Sequence, residues 1–183
     1  ISIKKGFKSS KFKILEIKNL KLNKIIKINI KNKKKLGSDR IANAIGAKKF
    51  KNCLIIDFGT ATTFDIIKNG TYEGGVIAPG VNLSIKNLSQ GTALLPLINL
   101  KSHQKSYGKN TIEALNAGFI WGYEGLINNI IDKVISRSKI KYKILLTGGY
   151  ANFFNKIIKK KVAIDQDITI KGIANAYKEL IWV

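Results

Sequence analysis

Residues 53–78, CLIIDFGTATTFDIIKNGTYEGGVIA, decide how this chain folds. CLIIDF is a short unbroken apolar run, the pattern of a strand buried on both faces, and it is too short for an ordinary helix. GTATTFDII follows at once, rich in β-branched residues, and reads as a second strand. Asn69-Gly70 is a favoured two-residue hairpin turn because both residues tolerate positive φ, so TYEGGVIA returns as a third strand. Three consecutive antiparallel strands are expected.

Working outward, Pro79-Gly80 breaks the sheet, VNLSIKNLSQ (81–90) reads as a helix, and Pro96 ends the next apolar stretch. Residues 110–137 carry a long helical pattern entered through Asn110 or Thr111 as cap, with Ala114, Ala117, Phe119, Trp121 and Tyr123 along it. YKILLTGG (142–149) reads as a strand, ANFFNKIIKK (151–160) as a helix, KVAID (161–165) as a strand and DITIKGIANAYKELI (167–181) as the last helix. Upstream, DRIANAIGA (39–47) places isoleucine and alanine at helical spacing, with Ser38 or Asp39 available as N-cap. Residues 1–35 alternate apolar residues with lysine, at Phe12 and Ile14 and again at Ile26, Ile28 and Ile30, and read as half-exposed strands. The order is that of an α/β protein.

The chain has 183 residues, of which 45% are hydrophobic, enough for one core-bearing domain or one domain with part of another. Its longest apolar runs are far below the roughly 20 residues a membrane-spanning helix needs. Cys53, the single cysteine, opens a buried run and reads as a structural thiol, which fits a reducing, cytoplasmic setting. The sequence begins at Ile1 and contains no methionine, which predicts a fragment or a processed product.

A net charge of +22 would ordinarily point to nucleic acid. Only Arg40 and Arg137 are arginines, however, so 33 minus 2 leaves 31 lysines, spread along the chain beside an excess of isoleucine and asparagine. Phosphate recognition favours the bidentate fork of arginine, and this pattern reads as a solvated surface with nucleic acid an unlikely partner. His103 sits in the polar segment KSHQKS with no second histidine or cysteine to complete a metal site.

Against 33 basic residues stand 11 acidic ones, yet three of the six aspartates, Asp39, Asp57 and Asp65, fall within residues 36–65. In DFGT, Asp57 ends a strand and is followed by Gly59 and the Thr60 hydroxyl, a turn that either closes a hairpin or lets a phosphate or cation approach the backbone. In GSDR, Asp39 and Arg40 either cap a helix and face solvent, or pair a proton acceptor with a fork that holds an anion. Thr147-Gly148-Gly149 lies between strand and helix, where backbone N–H groups can face a ligand at the carboxyl edge of the sheet.

Taken in order, LGSDRIANAIGA (36–47), DFGTATTFD (57–65), GGVIAPGVNLSIKNLSQGTALLP (74–96), GKNTIEALNAGFIWGYEGLI (108–127) and LLTGG (145–149) resemble the type III pantothenate kinases of the acetate and sugar kinase/Hsp70/actin superfamily. The resemblance implies two ribonuclease H-like domains with ATP between them, residues 1–47 ending the first and 48–183 forming the second. It implies a cytoplasmic homodimer that phosphorylates pantothenate, the first step of coenzyme A synthesis, with ATP, Mg2+ and a monovalent cation, K+ or NH4+. By resemblance Gly37, Ser38, Asp39 and Arg40 form the pantothenate loop, with Asp39 the proton acceptor for the attacking hydroxyl. Asp57 resembles the monovalent-cation ligand, Gly59 and Thr60 the ATP contacts, and Thr111 a further pantothenate contact, while Gly148 and Gly149 lie near the nucleotide. Trp121 and Tyr123 fall where the family packs its core or subunit contact.

Two departures accompany the match. Nothing before Gly37 resembles the family's DxGNT-like phosphate loop, and INIKNKKKLGSDR places Ile30 near a position the family gives to tyrosine. A different class of function stays open, a regulatory or nucleic-acid-binding relative on the same scaffold, and so does a sugar or acetate kinase, against which GSDR and GKNTIEAL weigh. Asp65 matches a motif position without an assigned role.

Overall fold

The computed structural model describes residues 15–100 and 106–180. Six strands form one mixed sheet: β1 (Lys27–Ile28), β2 (Cys53–Phe58), β3 (Ala61–Lys68), β4 (Thr71–Pro79), β5 (Lys143–Gly148) and β6 (Val162–Ile164), in the order β1-β4-β3-β2-β5-β6. The pairs β2–β3 and β3–β4 are antiparallel, whereas β2–β5, β5–β6 and β1–β4 are parallel. An antiparallel meander of β2, β3 and β4 with two parallel strands added beside its first strand is the ribonuclease H-like arrangement. Asn69 and Gly70 turn the β3–β4 hairpin at φ 50° and 72°, as their sequence requires.

The helices are α1 (Ser38–Gly46), α2 (Val81–Gln90), α3 (Thr111–Ser138), α4 (Ala151–Phe154) and α5 (Ile168–Leu180). They lie on both faces of the sheet, which is why CLIIDF has no polar alternation. Leu54, Ile56, Phe58 and Phe64 point to one face and meet α2, α3 and α4 through Ile85, Tyr123, Ile127, Ile131 and Phe154. Cys53, Ile55, Ile67, Tyr72 and Leu145 point to the other and meet α1 and α5 through Ile41, Ile45, Ile168 and Ala176. The two helices on this second face cross at backbone contact: a Cβ on Gly172 would stand 2.6 Å from the Ala42 carbonyl carbon, and one on Gly46 would strike the Ile168 carbonyl.

Several expectations are corrected. The apolar alternation upstream of residue 36 does not build the expected strands: Ile17–Asn19, Leu22–Lys24 and Lys33–Lys35 are 3-10 turns, and β1 is two residues long. Lysine-rich segments lack a second apolar face, so Ile26, Ile28 and Ile30 pack onto the core at the sheet edge and extend the sheet only by the two residues of β1. Phe12, Ile14 and His103 lie outside the described residues. The helix expected over 151–160 is the single turn α4, and the backbone beyond it is held by Asn128 of α3, which donates to the Ile157 carbonyl and accepts from the Lys159 N–H. The N-cap of α1 is Gly37, with Ser38 and Asp39 inside the first turn. Asn110 caps α3 as expected, accepting from the Glu113 N–H at 3.0 Å while Glu113 accepts from the Lys109 N–H at 2.8 Å.

Cys53 is fully buried, and loss of solvent pushes its thiol up to about 12, so it is an inert core residue. Among the described residues no helix is long and apolar enough to cross a membrane.

Candidate active site

Strand alternation places Asp57, Thr63, Asp65 and Thr147 on the α1 face, because Asp57 pairs with Thr63 on one side and Thr147 on the other, and Asp65 pairs with Ile55. The face is apolar at the amino end of β2 and polar at its carboxyl end. There the helices stop covering it: Ile77, which pairs with Thr63, is 63% exposed. The antiparallel and parallel halves of the sheet meet at β2 and β5, and the carboxyl ends of such strands are where open α/β sheets bind ligands.

Asn43 of α1, wholly buried, donates from Nδ2 to Asp57 Oδ2 at 2.9 Å, and the Thr169 hydroxyl of α5 donates to Asn43 Oδ1 at 2.5 Å. This chain fixes the carboxylate by one oxygen. The other, Oδ1, lies against Gly148, whose φ is 85° and whose absent Cβ would sit 2.7 Å from it. Only glycine fits there. Burial raises the Asp57 carboxyl above the usual range, the Asn43 hydrogen bond opposes this, and the nearby charge of Asp39 adds to it.

Gly59 and Thr60 are exposed at the turn after β2, and a Cβ on Gly149 would meet nothing within 4 Å, so both turns border open space. The Gly149 N–H is taken up by the Phe58 carbonyl at 3.1 Å, and α4 is one turn long. The expected N-terminus of a full helix is therefore absent behind Gly148 and Gly149. Gly80, at the start of α2, packs directly on the Thr60 carbonyl and holds this turn from behind.

Arg40 leaves the first turn of α1 and runs inward. Its Nε donates to Asp65 Oδ1 at 2.7 Å, with Arg40 13% and Asp65 0% exposed, so the solvent-exposed alternative for this arginine is excluded. The Tyr72 hydroxyl donates to the same Oδ1 at 2.8 Å, and the guanidinium carbon lies 5.9 Å from the Tyr72 ring centre. Burial is the dominant influence on Asp65 and pushes its carboxyl up to about 6; Arg40 and Tyr72 oppose it, and Asp39 adds to it. Asp39 itself is exposed, its carboxylate folded back over Gly37. Its charge acts on both Asp57 and Asp65, so the three aspartates that cluster in sequence also converge in space.

Thr111 stands apart from that cluster, exposed at the start of α3 in a groove with Leu88, Leu95, Ala114, Leu115 and Phe119. Trp121 and Tyr123 separate: Trp121 is 44% exposed, while Tyr123 is core, stacked 5.7 Å from Phe154 with its hydroxyl donating to the Pro79 carbonyl at 3.1 Å. Sequence reading missed Asn43, Thr169, Tyr72 and Gly75. Asn43 in the middle of an otherwise apolar helix face was the one local signal.

The strand order, with helices on both faces, defines a mixed α/β protein with a ribonuclease H-like sheet. The sequence model of the family described as type III pantothenate kinase matches residues 2–133. A Pelagibacter ubique (strain HTCC1062) protein named type III pantothenate kinase is 52% identical over 167 residues, covering 91% of this chain and 67% of its own length. A Ruegeria sp. (strain TM1040) protein of the same name is 39% identical, covering 78% of this chain and 56% of its own. Among solved structures, one from Campylobacter jejuni described as a conserved Baf family transcriptional activator aligns with a TM-score of 0.63 at 25% identity, over 86% of this chain and 70% of that one. The chain belongs to the type III pantothenate kinase family. It spans between about half and two thirds of the length of the curated relatives it matches.

Proposed function

We propose that the protein phosphorylates pantothenate with ATP, and that its site lies at the carboxyl ends of β2 and β5. The observation that carries this reading is the convergence of an exposed carboxylate, Asp39, with an inward-held arginine, Arg40, and a second carboxylate, Asp57, presented by one oxygen. Pantothenate carries a hydroxyl to be phosphorylated and a carboxylate to be recognised. Asp39 accepts the hydroxyl proton, Arg40 receives the carboxylate, and Gly37 and Ser38 complete the loop around it. Thr111 contributes a further substrate contact.

The nucleotide lies over Gly59, Thr60, Gly148 and Gly149, of which Gly59, Thr60 and Gly149 are exposed and Gly148 packs on Asp57. Asp57 Oδ1 is the donor for a monovalent cation, K+ or NH4+, a fit supported by a single partly buried oxygen with its partner oxygen already satisfied. No group of three or more histidine, cysteine, aspartate or glutamate side chains among the described residues could cage a metal ion. That suits a Mg2+ carried mainly by phosphate oxygens. When bound, the cations offset charge on the transferring phosphoryl group.

The reading extends to a division before Lys48 between two ribonuclease H-like domains, to a cytoplasmic setting and to a homodimer. Leu94 and Leu97, 90% and 67% exposed, together with Ile112 and Trp121 support the last as an apolar surface suited to a subunit contact. The test is pantothenate-dependent ADP release by the full-length protein with Mg2+ and K+ or NH4+, beside Asp39→Asn. Loss in the variant of about a thousandfold supports the reading, and absence of activity in the wild type rejects it. A regulatory, nucleic-acid-binding relative is favoured only by the description of the Campylobacter jejuni structure and by the charge of +22. DNA binding with a steep salt dependence would mark it.

A further inference from the structure

Asp65 is the one aspartate of the opening cluster without a role, and it sits at the centre of a device that the sequence does not announce. We propose that Asp65, assisted by Tyr72 and Gly75, is a positioning residue that holds the Arg40 guanidinium in the orientation in which it recognises the carboxylate of an acidic substrate. The proposal rests on the reading of the site given above and specifies how its cation is fixed.

Three observations carry it. First, the side-on bond from Arg40 Nε to Asp65 Oδ1 and the Tyr72 hydroxyl on that same oxygen fix the plane of the guanidinium at one edge only. Arg40 Nη2 is buried and has no hydrogen-bond partner, nor has Asp65 Oδ2. A buried ion pair that closed on itself would satisfy these atoms, and leaving them unpaired is costly, so the pair is arranged for something other than its own stability.

Second, the room for the guanidinium is made by Gly75: a Cβ there would lie 2.5 Å from Arg40 Nη2. Third, Tyr72 and Gly75 are three residues apart in β4 and would face opposite sides of a regular strand. They share a face because the β3–β4 ladder slips there: Ile67 pairs with Tyr72 but Ile66 pairs with Gly74, leaving Glu73 as an extra residue, with Gly74 at φ 114°. The bulge brings hydroxyl and gap to the same guanidinium. Asp65 pairs directly with Gly75 across the ladder, so donor, acceptor and gap are in register.

The test uses the full-length protein and two readouts. The Arg40 Nε–H resonance, assigned by its loss in Arg40→Lys, is expected to exchange slowly with solvent in the wild type and rapidly in Asp65→Asn. In calorimetric titrations, Asp65→Asn is expected to weaken pantothenate binding by about tenfold or more. It should change binding of the neutral analogue, in which an alcohol replaces the carboxylate, by less than about threefold. If turnover is measured, KM for pantothenate rises while kcat changes little. Tyr72→Phe keeps the ring and removes one hydroxyl, so it gives the same pattern at smaller amplitude should Asp65→Asn fold poorly.

An equal loss of affinity for acid and alcohol would reduce Asp65 to a structural role and overturn the proposal. So would an Arg40 Nε–H that is equally protected in wild type and variant. If the wild type binds neither compound, the substrate reading fails, and the carboxylate-recognition part of this proposal fails with it; the exchange measurement separately decides whether Asp65 holds the guanidinium.

Discussion

The two faces of the sheet are made by the same strands and do opposite work. On the α2, α3 and α4 face, Phe58, Tyr123 and Phe154 stack with ring centres 5.3 and 5.7 Å apart around Phe154, and the interior is closed. On the α1 and α5 face, Asp65 and Asn43 are buried and Asp57 and Arg40 half-buried beside aliphatic residues, and the face ends at the exposed turn of Gly59 and Thr60. A chain that buries titratable groups on one side needs a dense apolar layer on the other, since each imperfectly satisfied polar group subtracts from a small net stability. Alternate residues of one strand divide the labour: Leu54, Ile56 and Phe58 build the apolar core, and Asp57 between them faces the proposed site.

The contrast is broken most sharply by exchanging damage between the faces. Asp39→Asn is expected to lower turnover by about a thousandfold with an unchanged melting temperature. Phe154→Ala should cost about 4 kcal/mol of unfolding free energy while leaving KM for both substrates unchanged in the folded fraction. Denaturant titration and steady-state kinetics on the same two variants check this, and a stability loss in Asp39→Asn would blur the two faces.

Protonation separates the two faces as well. Folded Asp65 holds its proton more tightly than the unfolded chain does, because burial pushes its carboxyl up to about 6 from 3.8. The stabilisation from that bound proton is therefore present at low pH and declines as pH rises from about 4 to about 6, with a ceiling near 3 kcal/mol. Unfolding midpoints of the wild type should fall relative to Asp65→Asn across that window, whereas Phe154→Ala and its parent should stay parallel.

Gly172→Ala tests the seam between the two helices of the site face. The added methyl meets the Ala42 backbone, and about 2 kcal/mol of stability should be lost despite alanine's better helix propensity, with weaker substrate binding as α1 is displaced. The smallest effect is expected from Thr169→Val, which removes the donor to Asn43 and should cost about 1 kcal/mol or less. Its readout is the K+ or NH4+ concentration for half-maximal activity, which should rise because Asp57 loses the support of Asn43.

Much of this was legible because it is local. Asn69-Gly70 demanded its hairpin, CLIIDF its buried strand, and Asn110 with Glu113 its cap, since turn chemistry, alternation and capping act over a few residues. Family motifs pointed to Asp39, Arg40 and Asp57 without showing what holds them. Asn128 of α3 takes up the backbone beyond α4 at Ile157 and Lys159, about thirty residues away in sequence, and no local rule foresaw it.

The α/β order, the family and the clustering of three aspartates were readable without coordinates, because they follow from patterns within short windows and from ordered motifs. Only the tertiary structure decided which partner each aspartate has. Thr169 reaches Asn43 across 126 residues, and the bulge at Glu73 aligns Tyr72 and Gly75 on one guanidinium. Such pairings depend on ladder register and on the crossing of α1 with α5, which are settled by packing the whole core.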